Sequence, residues 1–486
     1  MTNTTRPPVV EFYYDIVCPF AYIASTRIEA VARRSSATVV WRPVLLGGIY
    51  RATEAPQGAQ GSATDPMNPT KRAVFQRSFR RTLKRLQVPI HMPAEHPRKT
   101  VDALRLLHCL PDDARAAVSH ALFKAYWVDN VDVSRRDVVL QLARRALQGG
   151  TSQVQALLKP ELFDDAGARK SLEQATADAV ARGAPGVPGF WHVGPGPTKG
   201  RLYWGQDRLP LLEARLGGVN KASPAGQAGP GFRGLIPRCR ELKPVQHPAK
   251  LEFWFDFSSP WAYLGWTRLD SLRRTFGSQL EIDLKPILLG ALFKEIGAPM
   301  MPSTVVSEQK RQYGLRDLFD WVKFWGAVDE QEGRGERQAQ FRWPDNFPIR
   351  SPTLLRCAIV NLDCIPVLYE AAWAKNLNIS SEDVLRDVLS QAGFDAEKLL
   401  AQARSRETKD ILTANTKAAK EAGFCGVPTF RVFRRDATEV WKQAGDLVWG
   451  QDELAVVEDL IGGWDESSHE VAEIQGEMSA SPRYRI

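Results

Sequence analysis

The sequence predicts an α/β protein made of two copies of one domain, each a β-α-β unit and a β-β-α unit separated by a long helical insertion. Three observations predict it. The 486 residues, 44% hydrophobic and 25% charged, have the balance of a folded globular chain and the length of two to three domains. The chain also repeats itself at domain length. VVEFYYDIVCPFAYIASTRIEAVARR at 9–34 answers KLEFWFDFSSPWAYLGWTRLDSLRR at 250–274, with Asp15 matching Asp256. WRPVLLGGIY at 41–50 answers LKPILLGALF at 284–293, GVPGF at 186–190 answers GVPTF at 426–430, and WGQDRL at 204–209 answers WGQDEL at 449–454. The offsets of these blocks (241, 243, 240 and 245) drift by only a few residues, as duplication followed by divergence leaves them. Third, the apolar period switches from strand to helix and back in the same order in each copy.

The elements follow in order, most clearly in copy two. LEFWFDF is a β-rich run, WAYLGWTRLDSLRRTF has apolar residues at helical spacing, and LEIDLKPI is a strand ending near Pro286. About 130 residues of helical pattern follow, including RCAIVNLDCIPVLYEAAWAKN and SEDVLRDVLSQAG. TFRVFRR and EVWKQAG then form a hairpin, and DELAVVEDLIGGW closes as a helix. This order predicts a four- or five-stranded sheet with helices on both faces, a thioredoxin-like architecture with a helical domain inserted. The Gly-, Pro- and Ala-rich stretch KASPAGQAGPGFRGLIPRCRELKPVQHPAK separates the copies. The expected partition is copy one at 1–220, a linker at 221–249, copy two at 250–465 and a polar, frayed tail at 466–486.

Several function classes are disfavoured. No run reaches the ~18 consecutive apolar residues of a membrane helix, and the N-terminus lacks a secretory pattern, so a cytosolic or organellar protein with no membrane partner is expected. The six cysteines form no C-x-x-C pair and no zinc or disulfide spacing, which suits a reducing compartment and no metal. The net charge of +8 divides into +11 over 1–220, +5 over 221–250 and −8 over the rest. Opposite signs on two halves predict mutual docking, an intramolecular pseudo-dimer, and not a nucleic-acid module. The basic stretch KRAVFQRSFRRTLKRL at 71–86 reads first as a helix with a solvated face and Phe75, Phe79, Leu83 and Leu86 inward, and second as a surface for an acidic partner such as copy two.

Three constellations carry chemistry. Ser259 precedes Pro260 and a helix, so its hydroxyl sits at a helix N-terminus, suited either to plain capping or to holding an anion such as a thiolate. Cys18 occupies the same slot in copy one. It reads either as a buried inert thiol or as a nucleophile with a lowered pKa, and in the second case it should be alkylated faster than the other five cysteines. Val187-Pro188 and Val427-Pro428 suit a cis-proline turn whose valine backbone pairs with an extended peptide ligand, or a plain surface turn. Gln206-Asp207 and Gln451-Asp452, before the last helix of each copy, suit capping or the binding of an ammonium group.

In combination, D-F-x-S-P-x-A-Y-L, K-P-x-L-L-G, K-x-x-Y-x-x-x-D-L, G-V-P-T-F and W-G-Q-D resemble the kappa-class glutathione transferases and 2-hydroxychromene-2-carboxylate isomerases, relatives of the DsbA oxidoreductases. The resemblance implies glutathione, or another small thiol, as cofactor and a small electrophilic molecule as substrate. It puts the thiolate on Ser259, the cysteinyl backbone on Val427, the γ-glutamyl end on Gln451 and Asp452, and the glycyl carboxylate on Lys310. Both copies lack the asparagine that the family carries after L-L-G; the stretches read YRATEAPQ at 50–57 and FKEIGAPM at 293–300. Copy one departs further: at an offset of 238 the Lys310, Tyr313 and Asp317 pattern becomes Arg72, Phe75 and Phe79, which suggests a degenerate or repurposed site. The leading expectation is a glutathione-dependent transferase or isomerase working mainly in copy two. The alternatives are a monothiol disulfide oxidoreductase using Cys18 and a non-catalytic binding scaffold.

Overall fold

The computed structural model describes residues 7–194, 199–220, 231–334, 340–435 and 440–467. Copy one forms a sheet from β1 (Val9–Tyr14), β2 (Thr38–Pro43), β3 (Gly189–His192) and β4 (Arg201–Trp204), in the order β2-β1-β3-β4. Copy two repeats it with β5 (Ala249–Phe255), β6 (Leu280–Pro286), β7 (Thr429–Arg435) and β8 (Trp441–Trp449), in the order β6-β5-β7-β8. In each sheet the first two strands are parallel, which requires a crossover helix, and the last two run antiparallel to their neighbours. The first strand of each copy is central, paired on both edges, and its fully apolar face lines the core. Phe12 lies between Trp41 and Phe190 in register, and Phe253 between Leu284 and Phe430; all of these aromatic rings are buried. The sheets have four strands each, the lower of the two expected numbers.

A buried aspartate fixes the corner after each central strand. Asp15 accepts from Val17 N (3.2 Å), Leu46 N (2.9 Å) and Thr100 Oγ1 (2.7 Å); Asp256 accepts from Ser258 N (2.9 Å) and Leu289 N (2.8 Å). Burial pushes both carboxyls up and these donors pull them down. Each carboxylate thereby ties the loop before the crossover helix to the start of the next helix (Leu46–Ala52 or Leu289–Glu295).

The crossover helices differ. Copy two has one helix, Pro260–Phe276, whereas copy one breaks into Pro19–Ser25 and Ile28–Ser35. Thr26 and Thr267 each donate back to a carbonyl three residues earlier, but copy one adds a second such bond, Ser25 Oγ to Tyr22 O at 2.7 Å, where copy two has Trp266. Two successive side-chain bonds compete with the helical ladder at one turn.

The halves meet through charge. Arg77, Arg81 and Arg85 on helix Pro69–Leu86 pair with Asp446 (3.0 Å), Glu466 (3.2 Å) and Asp459 (2.6 Å) of copy two. In return, helix Glu308–Gln331 presents Asp317 to Arg208 (2.7 Å) and Asp320 to Arg201 of copy one. The reading of 71–86 as a solvated basic face is therefore corrected: Arg81 is only 2% exposed, and the ion pairs across the halves take up that face. Of the expected linker, residues 221–230 lie outside the described residues, and the rest is laid on copy two, where Arg233 and Arg238 both pair with Glu458 at 2.5 Å. In the expected tail, Glu466 is held by Arg81, and residues 468–486 lie outside the described residues. Among the described residues, no helix is long and apolar enough to cross a membrane.

Candidate functional site

Each copy brings the slot before its crossover helix against its Val-Pro turn. Ser259 caps helix Pro260–Phe276: its Oγ accepts from Ala262 N at 3.2 Å and donates to Val427 O at 3.3 Å. Cys18 has the same backbone position, and its Sγ donates to Val187 O at 3.4 Å. Val187-Pro188 and Val427-Pro428 are both cis, as the sequence predicts. All four side chains of these pairs' first partners, Cys18, Ser259, Val187 and Val427, are buried.

The expectation of an acidic, fast-reacting Cys18 is corrected. Burial pushes its thiol up to about 12, and the Ala21 and Phe20 amides that stabilise a thiolate there do not offset it. The reason is local. Cys18 heads a helix of only seven residues, and it faces a carbonyl, which prefers the protonated donor. Phe20 stacks edge-on with Phe75 (5.6 Å) and Phe79 (5.3 Å) beside it.

The inserted helices align one residue differently from the sequence expectation. Asn68 and Ser307 cap them, each accepting from the amide three residues on, Lys71 N and Lys310 N. Lys71 therefore corresponds to Lys310, Val74 to Tyr313, Phe75 to Gly314 and Ser78 to Asp317. The contacts agree: the Lys71 ammonium lies over Trp449 (5.7 Å) and the Lys310 ammonium over Trp204 (5.5 Å), each crossing to the other copy. Copy one thus keeps the lysine that the offset of 238 denied it. The cation against the copy-two W-G-Q-D turn is Lys71, while exposed Lys310 lies against copy one. Crowding by the protein, with Lys71 nearby, pulls Lys310 down to about 8.

The corrected register gives the two sites different mouths. At Gly314 an added side chain would point into open space, whereas copy one places Phe75 there and packs it on Phe20. On the inserted segment of copy two, Met300, Val305, Leu315 and Phe319 are exposed apolar side chains, and Phe319 meets Phe341 at 5.5 Å.

The polar-Asp pairs converge from both copies on Arg208. This guanidinium, stacked over Trp321 at 5.4 Å, pairs with Asp317, with Asp452 (3.1 Å) and with its neighbour Asp207. Three carboxylates share one guanidinium, so the cluster keeps excess negative charge, and burial raises the Asp452 carboxyl although Arg208 opposes it. Tyr313 completes the clamp, accepting from Trp204 N at 2.8 Å. Gln451 is fully buried; its Oε1 accepts from Trp325 Nε1 at 2.5 Å, and its Nε2 has no partner among the described residues. Gln206 instead accepts from Arg27 at 2.8 Å. Sequence reasoning missed Arg208, Trp325 and the corner aspartates as parts of the site. Asp15 and Asp256 were visible as an identity between the copies; Arg208 was not, because Glu453 replaces it in copy two.

A family model for the DsbA-like thioredoxin domain matches residues 9–217, 250–341 and 353–462. The chain belongs to that family. It carries the DsbA-like pattern twice, and its curated relatives have half its length. The 2-hydroxychromene-2-carboxylate isomerase of Sphingobium xenophagum is 24% identical over 209 residues, covering 43% of this chain and 97% of the relative. The enzyme of the same name from Pseudomonas putida is 27% identical over 212 residues (44% and 94%), and glutathione S-transferase kappa 2 of Caenorhabditis elegans is 23% identical over 225 residues (43% and 91%). Among solved structures, a 2-hydroxychromene-2-carboxylate isomerase is similar at 22% identity (44% of this chain, 94% of that one) with a TM-score of 0.33. The cytosolic disulfide reductase DsbM from Pseudomonas aeruginosa with GSH is similar at 18% identity (43% and 98%) with a TM-score of 0.30.

Proposed function

We propose that this DsbA-like chain is a glutathione-dependent transferase or isomerase, that its working site lies in copy two, and that copies 1–220 and 250–465, joined by 221–249 and followed by the tail 466–486, pack as an intramolecular pseudo-dimer. The observation that carries the reading is the Ser259 hydroxyl, a donor at the N-terminus of a 17-residue helix beside the Val427 backbone. Glutathione supplies the nucleophilic sulfur when bound. A free thiol titrates near ~8.5, and lowering it by about two units, roughly 2.7 kcal/mol, is within reach of a hydroxyl donor and a helix N-terminus together. Ser259 turns its proton from the Val427 carbonyl, a bond already long at 3.3 Å, towards the anion.

The other groups fit the rest of a tripeptide. The backbone of Val427 pairs with an extended cysteinyl unit. The unpartnered Gln451 Nε2 is a buried donor, and the carboxylates of Asp207, Asp317 and Asp452, only partly neutralised by Arg208, attract an ammonium. Lys71 and Lys310, both near the boundary of the copies, attract a terminal carboxylate. Apolar side chains at the Gly314 mouth suit a small, partly aromatic electrophile. Six free cysteines suit a cytoplasmic or organellar, reducing compartment.

Calorimetric titration of the full chain with glutathione tests the reading. Saturable binding near one equivalent is expected, weakened about tenfold or more by Ser259→Ala, which removes one hydrogen bond to a charged sulfur. No binding, or binding indifferent to Ser259→Ala, overturns it. The alternative oxidoreductase reading rests on Cys18, whose thiol burial pushes up.

A further inference from the structure

Arg27 and Arg268 occupy equivalent positions in the Thr-Arg pairs of the two crossover segments, and their surroundings have diverged. In copy two, Arg268 is 1% exposed and fully matched. It stacks over the Trp325 indole at 5.2 Å and makes a bidentate pair with Asp329 at 2.8 and 2.6 Å, while the same indole donates to Gln451. Trp325 and Asp329 lie on helix Glu308–Gln331, which runs for 24 residues.

Copy one lacks both partners because its corresponding helix is shorter. Helix Pro69–Leu86 stops after 18 residues at Gln87, whose left-handed conformation (φ 52°) turns the chain away. In the cap-defined register Leu86 stands in place of Trp325, and the turn that would carry Asp329 is absent. Arg27 bonds directly to Gln206, through Oε1 (2.8 Å) and the carbonyl (3.3 Å), and has no carboxylate partner among the described residues. The carboxylates that act on Arg27 from beyond ion-pair distance are shared with other cations: Asp207 pairs with Arg208, and Glu213 holds Arg34 in a bidentate pair at 2.6 and 2.8 Å. Beside Arg27 lies a cavity of about 390 Å³, bordered by Ala30, Leu86, Pro89, Leu209 and, from the segment joining the copies, Leu235 and Pro237. Burial depresses the Arg27 guanidinium, Asp207 and Glu213 oppose the shift, and Arg34 and Arg85 add to it.

We infer that this cavity is a binding site for a small aromatic carboxylate, with its ring in the space the Trp325 indole fills in copy two and its carboxylate on Arg27 as Asp329 is on Arg268. The volume falls in the range of small-molecule sites, the walls mix aliphatic side chains with Gln87 and the Arg34–Glu213 pair, and Arg27, which has no carboxylate within ion-pair distance among the described residues, stands at one side to orient the ligand through a planar two-point contact. None of the residues bordering this cavity is among those around Ser259, such as Ala262 and Val427.

Calorimetry on the full chain with naphthalene-1-carboxylate, in the presence of excess glutathione, tests the inference. Expected are saturable binding near one equivalent, at least about tenfold weaker binding of the neutral naphthalene-1-carboxamide, and comparable losses in Arg27→Gln and in Leu86→Trp, which refills the cavity with an indole. Ser259→Ala should leave the affinity unchanged. The inference is overturned by absent binding, by equal affinity for the carboxamide, by indifference to Leu86→Trp, or by loss of binding in Ser259→Ala, which would place the ligand in the cleft of copy two. Should Arg27→Gln fail to fold, the Leu86→Trp and carboxamide arms still decide.

Discussion

Cys18 and Ser259 occupy one corner of one fold, each ahead of a proline-led helix and each aimed at the carbonyl before a cis-proline. In copy two the corner is headed by one long helix, and the inserted helix carries Gly314 where copy one has Phe75, although Ser259 is as buried as Cys18. In copy one the same corner is closed by Phe20, Phe75 and Phe79 and headed by a broken helix. Both corner residues are buried alike, so the difference lies in the residue at the helix end and in the helix that follows it. A sulfur at a helix N-terminus is no stronger a nucleophile when burial withholds the solvent that a thiolate requires.

The most direct way to break this comparison is to exchange the mouths. Gly314→Phe should abolish most thiol-dependent turnover while keeping or raising the melting temperature, because the added side chain enters open space and a mid-helix glycine costs about 1 kcal/mol relative to better helix formers. Turnover with an activated aryl electrophile and a thermal melt check it together. Full activity in Gly314→Phe would mean that the mouth is elsewhere. Next in size is cysteine labelling. With its pKa pushed up to about 12, Cys18 is ionised to the order of 10⁻⁴ at pH 8, so iodoacetamide mapped by mass spectrometry should reach part-exposed Cys109 and Cys239 well before it. Phe75→Gly should narrow that gap by letting water in.

The exchange of helices across the boundary sets a third test. Arg208→Met strands buried Asp317 beside the part-exposed Asp207 and Asp452, and an uncompensated buried charge costs up to roughly 3–5 kcal/mol before solvent screening reduces it. A large fall in stability by denaturant titration is expected, partly restored by adding Asp317→Asn. A loss under about 1 kcal/mol would show that solvent screens the cluster as it screens surface pairs.

Much of this was legible in the sequence and some of it was not, for physical reasons. The order of elements along each copy, the Ser259 cap and the Val-Pro turns depend on local residues, so the repeat of the Asp15 and Asp256 corners and of G-V-P at nearly constant spacing revealed them. The inserted helix was misread by one residue because Phe75 and Phe79 suggested a match to Tyr313 and Asp317. The register is set by the caps Asn68 and Ser307, and a cap has meaning only once the helix start is known. The charge asymmetry announced that the halves attract each other, but not that Arg77, Arg81 and Arg85 would bury themselves against Asp446, Glu466 and Asp459. Such contacts join residues hundreds of positions apart and leave no local period.

The smallest effect concerns Glu453, which stands in copy two where copy one has Arg208. Burial, with Asp452 beside it, raises its carboxyl to about 7, against the pull of Arg85 and Arg81; Ser78 Oγ donates to it at 3.4 Å. The sign follows from the raised value. In the unfolded chain the group ionises near its ordinary value, whereas the fold favours the protonated form. Its contribution is therefore fully present below that ordinary value and is lost as pH rises through about 7. Stability should fall between about pH 5 and pH 7.5 by a component that Glu453→Gln removes, and that variant should be the more stable protein at pH 8. Denaturant midpoints of the two proteins across this range measure the slope. Parallel curves would mean that Arg81 and Arg85 hold Glu453 ionised throughout, and that copy two mirrors the Arg208 cluster with a settled ion pair instead of a titrating acid.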